Sequence, residues 1–259
     1  MLLNKLKAIS LLANLEYRAV HRKKFFGIFW KFLNPLIFIL IYTFVFSSLA
    51  GGSRGFIIST GILIISGISS TLNSSTKWVQ EKLLNFKTSA DTFSLYFASK
   101  VYFNFLPIFY LLPVLIIIQR LVFNNDFKFT IQESTVIFFQ TYLLICGTML
   151  YCYLISIPSA IICKKFTDLE DLISHLVRIF TYLSPILWIA KTGNFLIDTI
   201  VQLINPFYFI FETLNFIIYR QYDFAIVSMI TPILICFYCL LFYFKDKKYE
   251  KAILESLYL

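Results

Sequence analysis

The sequence predicts an all-α integral membrane protein with six transmembrane helices, an N-terminal amphipathic interface helix, a re-entrant helix pair before the last span, and both termini in the cytoplasm. Of its 259 residues, 59% are hydrophobic and only 14% are charged, whereas soluble domains carry about 25% charged residues. With a mean hydropathy of +0.77, a soluble fold of this size would have too little polar surface. Long uncharged windows also recur, each reaching the roughly 20 residues that a helix needs to cross a bilayer.

Residues 1–24 are predicted to form an amphipathic helix at the cytoplasmic membrane surface. Leu2, Leu6 and Ile9 recur near helical spacing, while Lys and Asn side chains take the other side. Such a helix is too polar to span and is suited to lying along a membrane. Residues 25–259 are then predicted to form the transmembrane domain.

Six spans are predicted in that domain, as helices, because unpaired backbone amides in hydrocarbon are too costly. The fifth span must accept His175 and Arg178 near one end, with Arg178 reaching toward water. After it, Asn205-Pro206 divides an apolar stretch into two pieces too short to cross, which predicts two helices that enter the membrane and return. The predicted spans are 32–53, 55–76, 101–122, 134–163, 172–190 and 224–244, and the re-entrant pair is 194–219.

The distribution of Lys and Arg predicts the orientation. Cytoplasmic loops carry an excess of these residues, and most of the 23 lie on the side that holds both termini. Both termini are therefore predicted to be cytoplasmic. The net charge of +9 follows from this topology and does not indicate nucleic-acid binding. The exceptions, on the opposite side, are Arg54, Arg120, Lys128, Lys191 and Arg220.

The chain carries no motif that would make it an ATPase or a hydrolase. It lacks G-x-x-x-x-G-K-[ST], G-x-S-x-G and H-E-x-x-H, so we expect no catalytic residue, metal site or bound cofactor. An enzyme would have to use the acidic cluster Asp168, Glu170 and Asp171 with His175, which is explained more simply as the polar start of a helix. The uncharged spans also lack the mid-membrane ionisable groups of ion-coupled carriers. Energy for transport would therefore come from another subunit.

Aromatic residues are abundant, with 30 Phe, 16 Tyr and 3 Trp. Most are explained by packing and by belts at the membrane interfaces. Some are also candidates to line a pathway for sugars, because the C–H faces of sugars stack on rings while their hydroxyls reach Tyr OH groups. These candidates are Trp30, Tyr42, Phe46, Tyr142 and Tyr151.

A series of short motifs runs in a fixed order over most of the chain. Basic residues precede Phe26-Gly27-Ile28-Phe29-Trp30 and Asn34-Pro35, and are followed by Thr167-Asp168-Leu169, Ser184-Pro185-Ile186, Asn205-Pro206 and Arg220. This order resembles the membrane subunit of ABC-2 type exporters for surface polysaccharides such as capsule, O-antigen and teichoic acid. One departure is that no Pro follows Phe86, where the family often has a Phe-Pro pair.

The resemblance implies a homodimer bound to two copies of an ABC ATP-binding subunit, which would hold ATP and Mg²⁺. It also implies that the cargo is a lipid-linked glycan, moved across the cell (inner or cytoplasmic) membrane. Three sets of site residues follow. They are Arg18, Arg22 and Lys23 for the cargo headgroup at the entrance, Glu81, Lys82, Leu84 and Phe86 for coupling to the ATPase, and Glu212 and Arg220 at the exit.

Other interpretations remain open from the sequence. The basic cluster would equally bind phospholipid headgroups alone, the stretch 78–86 would equally lie on lipid, and Glu212 with Arg220 would equally belong to a salt bridge or a solvated loop. An ABC-2 permease for a drug, lipid or other small amphiphile is the alternative function. The Tyr and Phe content and the order of the Ser-Pro and Asn-Pro motifs favour the glycan.

Overall fold

A computed structural model describes residues 29–50, 52–85, 90–122, 131–166, 168–184, 195–219 and 232–241, together with the single positions Leu11, Leu15 and Ile230. Within these ranges the secondary structure is helical and contains no strand. The helices are α1 (Trp30–Ala50), α2 (Gly52–Asn85), α3 (Ala90–Val122), α4 (Ile131–Lys165), α5 (Leu169–Leu183), α6 (Phe195–Ile204), α7 (Tyr208–Tyr219) and α8 (Pro232–Leu241).

Three of these helices are long and apolar enough to cross a membrane, which indicates a membrane protein. Their candidate spans are Gly55–Lys77 in α2, Tyr96–Ile117 in α3 and Thr135–Cys163 in α4. They overlap the predicted spans 55–76, 101–122 and 134–163. The pair α6 and α7 would make a fourth span if it were counted as one.

The other predicted spans are described only in part. In α1 the apolar stretch is Phe32–Phe46, and near the end of the chain it is Pro232–Leu241; both are shorter than a span. Helix α5 ends at Leu183, inside the predicted span 172–190, and Ser184 has extended backbone at φ −80° and ψ 138°. The reason is Pro185, whose ring disfavours helical backbone in the preceding residue.

Helix α2 is the centre of the bundle. It packs against α1, α3, α4, α5 and α7, and 72% of its candidate span is buried, against 44% in α3 and 39% in α4. Small residues allow this close packing: a Cβ on Gly67 would meet the δ-methyl of Ile108 on α3. The large side chains buried around α2 are Ile58, Leu63, Ile64, Ile68, Phe97, Phe105, Ile108, Leu112, Leu115 and Phe211.

The predicted helix break at Asn205-Pro206 is present. Helix α6 ends at Ile204 and α7 begins at Tyr208, and the chain direction changes by 110° between them. Pro206 contributes to the end of α6 because it lacks the N–H that would continue the helix. The Tyr208 N–H donates to Asn205 O at 3.1 Å, so α7 starts directly from the turn.

Candidate functional site

The turn between α6 and α7 is built around the buried side chain of Asn205. Its Oδ1 accepts a hydrogen bond from the Phe207 N–H at 3.0 Å, an Asx turn that leads into α7. Its Nδ2 donates to Phe180 O at 3.0 Å and to Ser184 Oγ at 2.8 Å. One amide group therefore joins the turn to the end of α5.

A second helix reaches the same turn through Tyr151 of α4. The Tyr151 OH donates to Pro206 O at 3.2 Å, and its ring meets the Phe207 ring edge-on at 6.2 Å. Phe207 also contacts Phe180 of α5 edge-on at 6.2 Å. The turn is thus held by α4 and α5 together, with polar contacts inside an aromatic shell.

The last turn of α2 before Lys77, where its candidate span ends, carries a second polar region. Ser75 Oγ lies 3.0 Å from Ser159 Oγ of α4, and the Asn104 Nδ2 of α3 donates to Ser74 Oγ at 3.2 Å. Hydrogen bonds between helices of this kind each contribute about 0.6 kcal/mol on average in membranes. They connect α2 to α3 and α4 at one level of the bundle.

Charged groups lie at this same end of the candidate span of α2. Lys77 Nζ forms a salt bridge of 2.8 Å with Glu170 Oε1 in the first turn of α5. Lys100, which directly precedes the predicted span 101–122, is instead a buried residue within the candidate span of α3. Its ammonium lies 5.1 Å from the centroid of the Tyr96 ring, a distance at which the ring quadrupole attracts a cation.

The aromatic residues expected to line a channel fall into two arrangements. On α1, Tyr42 stacks on Phe38 and Phe46, with ring centroids 6.5 and 5.9 Å apart, and Trp30 is half-buried at the start of the helix. On α4, the Tyr142 OH donates to a backbone carbonyl of α3, that of Phe109, at 2.5 Å. A tyrosine hydroxyl held by a backbone carbonyl links two helices, so for Tyr142 and Tyr151 a packing role is established and channel lining stays a prediction.

The remaining predicted site residues are placed only in part. Glu81, Lys82 and Leu84 continue the backbone of α2 as a helix to Asn85, with no break after the candidate span. Glu212 is half-buried in α7. Outside the described residues lie Arg18, Arg22, Lys23, Phe86 and Arg220.

The acidic cluster considered for catalysis is divided between an ion pair and exposed positions, among them Asp168. Glu170 turns toward Lys77, while Asp171 and His175 are exposed on another side of α5. In the part of the chain that the structure describes, no three His, Cys, Asp or Glu side chains come together where they could hold a metal ion.

The outer face of α5 carries a feature that the sequence interpretation missed. Asp171, His175, Arg178 and Tyr182 are all exposed, and their spacing of i, i+4, i+7 and i+11 places them along one line of the helix. The signal was present in this spacing, but Arg178 was expected only to reach water from a helix end.

Comparison with known proteins does not assign the chain to a family. No family model matches the chain, and no curated protein matches it significantly.

Proposed function

We propose that this chain is the membrane-spanning permease subunit of an ABC exporter that moves a lipid-linked polysaccharide across the cytoplasmic membrane. Its composition and its three apolar helices support a multi-pass protein. The sequence contains no P-loop, so ATP would be hydrolysed on a separate partner subunit, which would also hold Mg²⁺.

The observation that carries this proposal is the continuous helix α2. Its 34 residues correspond to about 51 Å at 1.5 Å per residue, well beyond the roughly 30 Å hydrocarbon core. The turns after Lys77 therefore project from the membrane, on the predicted cytoplasmic side, and they carry Glu81, Lys82 and Leu84. A partner that moves these turns moves the central helix of the bundle.

A chain of polar contacts extends from this projecting helix toward the α6–α7 turn. The salt bridge between Lys77 and Glu170 joins α2 to the first turn of α5. At the other end of α5, Ser184 accepts the hydrogen bond from Asn205. Because α5 is a single helix between these two contacts, it is suited to carry a displacement of α2 to the turn.

The bent pair α6 and α7 supports a re-entrant arrangement. The helices have 10 and 12 residues, so each is about 15–18 Å long, near half of the hydrocarbon thickness. Tyr151, which contacts the turn, lies near the middle of the candidate span of α4. The turn then sits at mid-membrane depth, and both helices lead from it toward the outer surface, where Glu212 and Arg220 would flank the exit.

The remaining topology follows from the sequence. Six spans, cytoplasmic termini and an interface helix over residues 1–24 complete the proposed subunit. In a homodimer, two such subunits would form the export channel with two ATP-binding subunits below. Arg18, Arg22 and Lys23 would then lie at the lateral entrance, where the phosphate of a lipid-linked glycan arrives.

The test is a deletion strain of the source organism, complemented with the wild-type chain as control. Surface glycan and intracellular lipid-linked glycan are measured separately. We expect a bare surface, accumulation of lipid-linked polymer inside the cell, and reversal of both by complementation. Unchanged surface glycan would overturn the proposal, and a screen for accumulated drugs or lipids would then test the other class of cargo.

A further inference from the structure

Two stripes of different character share the exposed side of α5. Leu172, Leu176 and Ile179 are exposed at apolar positions. Directly beside them on the helix surface is a polar stripe, which we define as Asp171, His175, Arg178 and Tyr182. The buried side of α5, including Val177 and the partly buried Phe180, packs toward the bundle.

In the re-entrant arrangement proposed above, the polar stripe does not stay at the membrane surface. Glu170 pairs with Lys77, the last residue of the candidate span of α2. Arg178 follows Glu170 by eight positions, which is about 12 Å along a helix. Ser184, which is joined to the mid-membrane turn, lies only about 9 Å further on. The Arg178 guanidinium is thus attached to the helix well inside the bilayer.

Such a group cannot face acyl chains without a cost of about 2.5 kcal/mol or more. Among the described residues no carboxylate lies within salt-bridge distance of Arg178. The neighbouring apolar stripe of Leu172, Leu176 and Ile179 is suited to contact lipid. The polar stripe would therefore need a different environment from the apolar one. Water is the surrounding that suits exposed Asp, His and Arg side chains.

We propose that the polar stripe of α5 lines a water-filled pathway and that Arg178, with His175 beside it, receives a phosphate-type anionic group of the cargo. This rests on the permease function above and adds a site within the membrane to it. A guanidinium pairs with a phosphate through two parallel N–H donors. Asp171 lies about 10 Å from Arg178 toward the predicted cytoplasm, where water and salt screen its charge more strongly.

A proposed two-fold assembly strengthens this assignment. Equivalent residues of two copies related by an axis along the membrane normal lie at the same depth. Two Arg178 groups would therefore face the pathway at one level and repel each other, which keeps the gap hydrated. Together they would favour an anion over a cation there.

The test uses one introduced cysteine at a time in the full complex, in inside-out vesicles, and leaves the buried native cysteines in place. His175→Cys reports on the polar stripe, and Leu176→Cys, its neighbour on the apolar stripe, is the matched control. Cys146, the exposed native cysteine, and the half-buried Cys236 are first replaced by serine. Reaction rates are measured with a negatively charged sulfonate thiol reagent and with its trimethylammonium counterpart.

We expect the cysteine at position 175 to react and the cysteine at position 176 to stay protected. We also expect Arg178→Gln, introduced together with His175→Cys, to change the selectivity of labelling. The labelling rate with the sulfonate reagent, divided by the rate with the trimethylammonium reagent, should fall by a factor on the order of ten. This is the size of a local electrostatic effect in a cleft. Arg178→Lys should keep most of the ratio. Equal protection at both positions, or a ratio that Arg178→Gln leaves unchanged, would overturn the proposal.

A second arm identifies the source of the phosphate. Vesicles that carry the His175→Cys complex are prepared from glycan-producing cells and compared with vesicles from cells blocked in glycan synthesis. Slower labelling at position 175 only when glycan is present assigns the anion to the cargo. Equal protection in both assigns it to ordinary phospholipid and overturns the cargo assignment. A deletion strain with normal surface glycan, together with a labelled polar stripe, would refute glycan export while leaving the hydrated stripe intact.

Discussion

Asn205 donates a hydrogen bond from its Nδ2 to Ser184 Oγ at 2.8 Å, across 21 residues of sequence. The two residues belong to the Ser-Pro and Asn-Pro motifs, and each marks the end of a helix. Ser184 follows the end of α5, and Asn205 follows the end of α6. The contact therefore fixes the α6–α7 turn to the helix that begins beside Lys77.

We predict that Asn205→Ala destabilises the protein by roughly 1–3 kcal/mol, because it leaves the Phe207 N–H and Ser184 Oγ without this partner in a buried site. Ser184→Ala should cost about 1 kcal/mol, since Asn205 keeps Phe180 O as an acceptor. The free energy of unfolding in detergent measures both. The double variant should cost less than the sum of the two, since the residues share one bond; strictly additive effects would contradict the contact.

The position of this turn shows what the sequence can predict. Asn205-Pro206 breaks a helix through local backbone chemistry, so two short helices were predicted correctly. The bond to Ser184 joins residues that no local pattern relates, so it required the three-dimensional structure. The end of α5 at Leu183 was missed, although Pro185 restricts the residue before it.

The same contrast holds in α2. The sequence predicts a span that ends at residue 76 and assigns the stretch 78–86 separately to coupling or to the lipid surface. Its residues up to Asn85 continue the helix because Gln, Glu, Lys and Leu are all good helix formers. Lys100 and Arg178 were both expected near water at the ends of spans, yet one is buried in α3 and the other lies midway along α5. The presence of a charged side chain does not show how deep in the membrane its residue lies, because one side of a helix can face protein or water.

The salt bridge between Lys77 and Glu170 is predicted to matter for coupling more than for stability. Its side chains are 59% and 39% exposed, so its contribution to unfolding is expected to be about 1 kcal/mol or less. Lys77→Glu and Glu170→Lys should each reduce glycan export severalfold, because like charges would push α2 and α5 apart. The double exchange should restore export. If export stays low in the double exchange, the salt bridge between Lys77 and Glu170 does not contribute to coupling.

Two buried hydroxyl positions in α2 are predicted to respond in opposite ways. Ser75→Ala removes the contact to Ser159 and should destabilise by about 0.6 kcal/mol, as is typical between membrane helices. Thr60 Oγ1 has no hydrogen-bond partner among the described residues, so Thr60→Val should be neutral or stabilising, since it removes an unpaired polar group at constant shape. Thermal unfolding in one detergent compares the two variants. If Thr60→Val lowers the thermal stability as much as Ser75→Ala does, the Thr60 hydroxyl is not an unpaired group.

Tyr151 allows a direct choice between packing and channel lining. Tyr151→Phe removes the hydrogen bond to Pro206 O but keeps the edge-on ring contacts with Phe207 and Phe209. We expect a stability loss of about 1 kcal/mol with export otherwise retained. Export assays at a temperature where the variant remains folded measure this. A large loss of export in a fully folded variant would instead indicate that the hydroxyl contacts the cargo.

Export itself is tested most directly in inside-out vesicles from the glycan-accumulating deletion strain, with and without the permease complex reconstituted into the vesicles. Accumulated lipid-linked glycan is exposed to an added glycosidase, and the protected fraction is followed after ATP or ADP is supplied. The proposed permease predicts protection that requires both the chain and ATP, because the glycan moves into the vesicle lumen. Protection that is the same with ADP, or in vesicles without the chain, would contradict ATP-driven glycan export through this subunit.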